Sequence, residues 1–222
     1  MSTAVIIGGG EFPKREYPLE LIRRADLIVC CDGNALKSFI RNRPKLFGDT
    51  ERLPDAVVGD MDSMSQKLIK EYSSILFQVE EQDDNDQTKA FHWILENHPE
   101  VDTIHFLAAT GKREDHTIGN LSLLMEYARL SDRLTDRISI DMVSDYGTAI
   151  AITDSCELVL GRGRRISLFS PDNSLMIKSK GLTWPTDDVV FDNWWKATLN
   201  RTSEDVVDLE FSHRSIALVI VD

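Results

Sequence analysis

This sequence predicts a mostly parallel α/β sheet with flanking helices, in a three-layer, Rossmann-like arrangement, followed by a smaller all-β sandwich or barrel. Three observations predict it. The first two thirds of the chain alternates short apolar runs with helical patterns. Several of those runs are apolar at consecutive positions, as strands covered on both faces require. Beyond Asp145 the helical periodicity fades into short alternating runs punctuated by Gly161, Gly163, Pro171, Gly181 and Pro185. That spacing is the pattern of a small β-sandwich or barrel.

Taken in order, Ala4–Ile7, Leu27–Cys31, Ala56–Val58, Ile75–Val79, Thr103–Leu107 and Ile138–Val143 read as strands. Leu19–Arg24, Ala35–Arg41, Gln66–Tyr72, Thr88–Asn97 and Thr117–Leu130 read as the helices between them. Strand–helix–strand repetition implies a parallel sheet, whose ligands bind beyond the carboxyl ends of the strands. In the last third, Thr148–Ile152, Cys156–Leu160, Arg165–Phe169, Leu175–Ser179, Val206–Glu210 and Ile216–Val221 read as short strands. The expected boundary lies at Asp145–Gly147, giving domains 1–145 and 146–222.

The 222 residues fit one large domain or two small ones, and the 42% hydrophobic fraction is that of a chain with a real core. No apolar run approaches the ~20 residues that span a bilayer. The N-terminal stretch lacks the basic and apolar regions of a signal peptide, so a cytoplasmic protein is expected. The net charge of −12 repels nucleic acid and anionic lipid, which excludes both as partners. Cys30, Cys31 and Cys156 read as buried, reduced thiols; neighbours on a strand point to opposite faces and make poor co-ligands.

Chemistry is concentrated just after the strands. Gly59-Asp60-Met61-Asp62-Ser63 follows Ala56–Val58. In an extended chain Asp60 and Asp62 would face one side and offer two hard carboxylates to one cation. Gly59 permits close backbone approach, and Ser63 or Ser65 can cap the next helix. Asp32-Gly33-Asn34 follows Leu27–Cys31. Asp32 could bind a metal or a ligand hydroxyl, or merely cap the following helix, with Gly33 and Asn34 suited to a tight turn. Gln82-Asp83-Asp84-Asn85-Asp86-Gln87-Thr88-Lys89 opens a helix, where free N–H groups favour anions. With Asp86 as cap, Lys89 would lie on the first turn, the two holding a metal and a phosphate oxygen. Gly111-Lys112-Arg113-Glu114-Asp115-His116 follows Thr103–Leu107. Arg113 is a fork donor suited to phosphate, Asp115 could orient it or bind metal, and His116 could contact a base or cap the helix that carries Asn120. Each motif alone has a bland reading as a solvated loop. Together, at the ends of four strands, they imply a magnesium–nucleotide site. Gly8-Gly9-Gly10 completes neither GxGxxG nor a GxxxxGK[ST] loop, although a backbone nest for phosphate or sugar is open to it.

The ordered set resembles the thiamine pyrophosphokinase family. That family carries an Asp-Gly-Gly turn, a Gly-Asp-Phe-Asp-Ser turn, an acidic segment ending in Thr-Asp or Thr-Lys, and a Gly-Gly-Arg-x-Asp-His…Asn segment. Gly181-Leu182-Thr183-Trp184-Pro185 is similar to its later Gly-Leu-Lys-Trp/Tyr-Pro stretch. Asn34, Met61 and Lys112 depart from the pattern, and the family's late Ser-Asn pair stands here as Leu199-Asn200.

The resemblance implies transfer of a pyrophosphoryl group from ATP to the hydroxyethyl group of thiamine, giving thiamine diphosphate and AMP. It implies Mg²⁺ on Asp60, Asp62 and Asp86, and charge neutralisation by Arg113 and Lys89. Asp115 would orient Arg113 or reach the metal. Asp32, Gly33, Gln82, Thr88, His116 and Asn120 fall at nucleotide- or metal-organising positions. A carboxylate of the cluster would serve as base. Trp184 would stack on the thiamine rings, its alternative being an ordinary core residue, and Asn200 falls at a substrate-binding position. Trp194 and Trp195 are adjacent, which suits one buried and one exposed ring. A homodimer with its active site at the subunit interface is also implied. Three other readings compete: a diphosphokinase for another hydroxymethyl acceptor such as a pterin, a non-catalytic nucleotide- or thiamine-binding regulator, and a structural or interaction protein.

Overall fold

Strands that are apolar on both sides need cover on both faces, and the first half of the chain supplies it. In the computed structural model, which describes residues 2–62, 64–81, 83–134 and 138–222, the chain divides into two units. One comprises Met1–Leu123 and Arg137–Asp145, the other Leu124–Asp136 and Tyr146–Asp222.

The first unit holds β1 (Ser2–Ile7), β2 (Leu27–Cys30), β3 (Ala56–Gly59), β4 (Leu76–Gln78), β5 (Val101–Leu107) and β6 (Ser139–Ser144). They pair in parallel in the order β6-β5-β1-β2-β3-β4. The helices are α1 (Glu16–Arg24), α2 (Gly33–Phe47), α3 (Gln66–Glu71), α4 (Asp86–Asn97) and α5 (Glu114–Leu134), the last counted with the other unit from Leu124 on. β2 and β3 are buried throughout, as are the last four residues of β1. Val5, Ile7, Ile28, Cys30, Leu36, Phe39 and Val57 form part of one core. Chain order reverses at β1, which has β2 on one side and β5 on the other. That is the switch point where a doubly wound sheet opens a ligand crevice.

Three details differ from the sequence expectation. The strand expected over 75–79 shrinks to β4, because Ser73–Ile75 forms a 3₁₀ turn on the end of α3. α5 begins at Glu114, three residues earlier than its apolar periodicity suggests. Gly33 and Asn34 form no left-handed turn: they are the first turn of α2, which Asp32 caps.

The second unit holds β7 (Gly147–Ile152), β8 (Cys156–Val159), β9 (Arg165–Phe169), β10 (Ile177–Lys180), β11 (Ala197–Arg201), β12 (Val206–Phe211) and β13 (Ala217–Val221). Antiparallel pairing gives the orders β11-β9-β13-β7 and β10-β12-β8. Ile166, Leu168 and Val219 from the first set meet Ile177, Val207 and Leu209 from the second in a shared core, which is the sandwich arrangement. β11 is absent from the sequence reading. Cys30 and Cys31 are buried free thiols, and Cys156 is a half-buried one.

Candidate active site

Parallel pairing places the carboxyl ends of β1, β2, β3, β4 and β5 on one edge, and each continues into one of the polar segments. Backbone packing fits these segments together. The Gly10 N–H donates to the Ala108 carbonyl at 2.6 Å. A Cβ on Gly10 would lie 2.4 Å from the carbonyl oxygens of both Ala108 and Thr110, so only glycine fits there. Lys112 Nζ donates to the Gly9 carbonyl at 2.7 Å. Asn120 Nδ2 donates to the Ala109 carbonyl at 2.7 Å, and its Oδ1 accepts from Asn85 Nδ2 at 3.2 Å. Asn120 and Lys112 thus brace the rim.

Asp32 ends β2 and caps α2, its Oδ1 accepting the Ala35 N–H at 2.6 Å. Asn85, rather than the expected Asp86, caps α4 by accepting the Thr88 N–H at 2.9 Å. Asp86 becomes the first helical residue and turns its carboxylate toward β3. A Cβ on Gly59 would come within 3.0 Å of Asp86 Oδ1 and 2.6 Å of the Cys31 carbonyl, so a side chain there would displace both. Burial, then the Asp60 charge, push Asp86 up to about 6; Asp32 adds to the rise, while Lys89 and the Asp60 N–H oppose it. Lys89 is buried beside it, with Nζ 3.8 Å from Asp86 Oδ1. Gln87 and Thr88 are buried on the same helix turn.

Asp60 and Asp62 do not lie on an extended chain. Met61 between them has φ +65°, in the left-handed region, and Asp60 Oδ1 accepts the Asp62 N–H at 3.0 Å. The turn anchors the Met61 side chain in the core, which resists the backbone strain. Both aspartates border one cavity of about 530 Å³, lined also by Met61, Met64, Ile69, Leu76 and Gln78. Ser65 caps α3. Gln82 and Ser63 lie outside the described residues.

At the end of β5, Arg113 makes a bidentate pair with Asp115 through Nε and Nη2. This pairing and the His116 contacts hold the Asp115 carboxyl far below the usual range. All three side chains are exposed. Asp32, Asp60, Asp86 and Lys89 therefore share one electrostatic neighbourhood, with Asp62 on the cavity wall and Arg113 held by Asp115. Among the described residues, no group of three or more His, Cys, Asp or Glu is arranged to hold a metal. The donor chemistry nevertheless suits one. Burial and then the Asp60 and Asp32 charges, only partly offset by Lys89, raise Asp86, and a hard divalent cation that takes its remaining ligands from phosphate and water would relieve the like-charge part.

In the second unit Trp184 is 60% exposed and Asn200 is 5% exposed. Asn200 bonds the Trp184 backbone through both side-chain polar atoms. Trp194 and Trp195 are both exposed, because turns rather than a strand carry them and strand alternation does not apply. Asn85 is a favoured cap residue type, as is Asp86 beside it; no sequence signal marks the cavity wall or the clamp on Trp184.

Two family models match. "Thiamin pyrophosphokinase, catalytic domain" covers residues 19–135, including the segments at 32, 59, 82 and 111. "Thiamin pyrophosphokinase, substrate-binding domain" covers 147–217, including Trp184 and Asn200. Thiamine pyrophosphokinase 1 of Oryza sativa subsp. japonica is 33% identical over 142 residues, 57% of this chain and 53% of that protein. Thiamine pyrophosphokinase of Bacillus subtilis (strain 168) is 28% identical over 143 residues, 62% of each chain. The chain thus aligns with about half to three fifths of the length of these relatives. The solved thiamine pyrophosphokinase of Bacillus subtilis superposes with TM-score 0.74 at 19% identity, covering 100% of this chain and 99% of that one. That from Candida albicans gives 0.73 at 18%, covering 99% and 88%. These structures share the fold.

Proposed function

This chain belongs to the thiamin pyrophosphokinase family, and on that premise we propose that it is an ATP:thiamine diphosphotransferase. The thiamine hydroxyethyl oxygen attacks the β-phosphorus of ATP. The new O–P bond forms as the bond from the β-phosphorus to the α–β bridging oxygen breaks. AMP leaves with that oxygen, the hydroxyl proton passes to a base, and thiamine diphosphate is the product. The observation that carries this reading is Asp86 at a strand edge, set against the buried Lys89 and within reach of the charges of Asp60 and Asp32.

Asp60, Asp62 and Asp86 would hold Mg²⁺ together with phosphate oxygens. When bound, the ion neutralises the phosphates and polarises the β-phosphorus. Lys89 favours the ionised form of Asp86 and offsets its negative charge, which keeps the acidic cluster tolerable beside an anion. Arg113, preset by Asp115, reaches the phosphates as a planar fork. Asp32, Gln82, Thr88, His116 and Asn120 organise the nucleotide rim, with Gly33 in the α2 first turn. A carboxylate of the cluster takes the hydroxyl proton. Met61, Met64, Ile69 and Leu76 give the cavity an apolar portion beside Asp60 for the nucleotide base, with Gln66, Ser73 and Gln78 as polar lining at its edge. Trp184 offers an exposed face to the cationic rings of thiamine.

In the same reading, residues 1–145 carry the nucleotide and 146–222 carry thiamine and the contacts of a homodimer whose active site lies at the subunit interface. Exposed Trp184, Trp194, Trp195 and Leu199 support an interface on the second unit. A cytoplasmic location goes with ATP as co-substrate and with free thiols; among the described residues, no helix is long and apolar enough to cross a membrane. The test is chromatography of purified protein incubated with Mg-ATP and thiamine. AMP and thiamine diphosphate should accumulate in equal amounts. ADP as the only nucleotide product, or no turnover, overturns the proposal.

A further inference from the structure

The side chain of Asn200 is committed to a neighbouring main chain. Its Nδ2 donates to the Trp184 carbonyl at 2.6 Å, and its Oδ1 accepts the Trp184 N–H at 3.2 Å. The same Oδ1 accepts the Arg201 N–H at 2.8 Å. The amide acts like one rung of a β ladder, matching both the donor and the acceptor of a single residue. Ordinary pairing continues the ladder. The Thr183 N–H bonds the Arg201 carbonyl at 2.8 Å, Leu182 bridges Thr202, and the Ser203 N–H bonds the Gly181 carbonyl at 2.8 Å. The segment Gly181-Leu182-Thr183-Trp184 is therefore seated, and Asn200 is its last fastening before Pro185.

Burial separates the roles of the two residues. Asn200 is 5% exposed, whereas the indole of Trp184 is 60% exposed. Leu199, beside Asn200, has φ +58° and is 81% exposed. The β11–β9 register shifts between Ala197 and Asn200, so a bulge turns Leu199 outward while Asn200 is turned in. An outward leucine and an inward, fully engaged amide leave the indole as the group that can meet a planar ligand.

We propose that Asn200 is a positioning residue for the acceptor: it fixes the Trp184 backbone, so that the indole presents a set face to a planar aromatic cation, and it does not touch that cation itself. This rests on reading the chain as a thiamine diphosphotransferase. Stacking on a cation depends on ring orientation, so a loosened backbone costs affinity for the acceptor while leaving phosphoryl chemistry intact. Asparagine is needed because alanine offers neither bond and aspartate cannot donate to the Trp184 carbonyl.

The experiment is a double-mutant cycle on AMP release, with thiamine and Mg-ATP each varied. Wild type, Asn200→Ala, Trp184→Ala and the double variant are compared. Either single change should raise KM for thiamine by about tenfold, with kcat and KM for ATP held within about twofold. The double variant should be no worse than Trp184→Ala alone, because the asparagine acts only through the tryptophan. Losses in KM that multiply would overturn the proposal, since they mean separate contacts with the acceptor. A uniform fall in kcat with a lowered melting temperature and unchanged KM would overturn it too, by assigning Asn200 to folding alone. Should Asn200→Ala not fold, Asn200→Asp carries the same test. If wild type releases no AMP with thiamine, the underlying reading falls first, which separates that failure from failure of the clamp.

Discussion

Lys89 and Asp86 stand one turn apart on α4, with Nζ 3.8 Å from Oδ1; the lysine side chain is 3% exposed and the aspartate 32%. One buried cation thus faces a carboxylate that also has Asp60 and Asp32 for neighbours. The balance makes Asp86 hold its proton more tightly than an ordinary carboxyl does, because burial and like charges outweigh the lysine.

A pH-dependent stability follows. Asp86 titrates at about 6 in the folded chain and at roughly 3.9 when unfolded. The folded state binds the proton more tightly, so this group's contribution is fully present below the unfolded value and is lost as pH rises through about 6. In EDTA, Asp86→Asn should therefore melt above wild type at pH 7.5 and level with it at pH 4. Added Mg²⁺ should reverse the order at pH 7.5 by stabilising only wild type. A variant that melts lower in EDTA at pH 7.5 refutes the charge balance described.

Asp60 and Asp62 differ in setting although they share a turn. Asp60 is half-buried and acts on Asp86, whereas Asp62 is exposed. Asp60→Asn and Asp62→Asn should each lower kcat/KM by roughly a hundredfold or more with melting temperatures near wild type. The Asp60 variant should be the more impaired. Near-normal turnover in either, measured by AMP release, removes that residue from the metal site.

The cavity wall offers a selective test. Ile69→Trp fills the space beside Met61 and Leu76 while leaving the acidic residues themselves unchanged. KM for ATP should rise about tenfold or more while kinetics in thiamine, at saturating ATP, change little. An unchanged KM for ATP places the nucleotide base elsewhere.

Most of the fold was legible because long-range burial and local pattern agree: consecutively apolar strands such as Ala4–Ile7 can only sit inside a covered sheet. The polar segments were likewise findable from their places after strands. Side-chain aim was not. Asp60-Met61-Asp62 reads as an extended triplet, but burial of Met61 forces a left-handed turn that local sequence does not reveal. Asn85 competes with Asp86 for the cap, and either residue type would serve. β11 escaped because Ala197-Thr198-Leu199-Asn200-Arg201 carries a bulge that points its leucine to solvent, cancelling the alternation that marks a strand. The clamp of Asn200 on Trp184 joins residues sixteen apart and has no local signature at all.

The second unit has its own acid-sensitive fastening. Asp172 accepts hydrogen bonds from Ser174 Oγ at 2.6 Å and Ser215 Oγ at 2.7 Å, and pairs with His213 Nε2 at 3.0 Å. The Ser174 hydroxyl, then the Ser215 hydroxyl and the His213 imidazole, hold the Asp172 carboxyl far below the usual carboxylate range. For a depressed acid the contribution is present above the unfolded value of roughly 4 and is lost as pH falls below it. Asp172→Asn keeps the shape but gives up the charge. At pH 7 it should lower the melting temperature by about 2–4 °C, as loss of about 1 kcal/mol does for a chain of this size. At pH 3 the gap should narrow, since wild type is then losing the same interaction. Because the residue lies on the turn joining β9 to the segment before β10, thiamine diphosphate formation at pH 7 and 25 °C should be unaffected. A gap that stays constant from pH 7 to pH 3 in thermal melts would show that the hydroxyls and the imidazole do not depend on the charge.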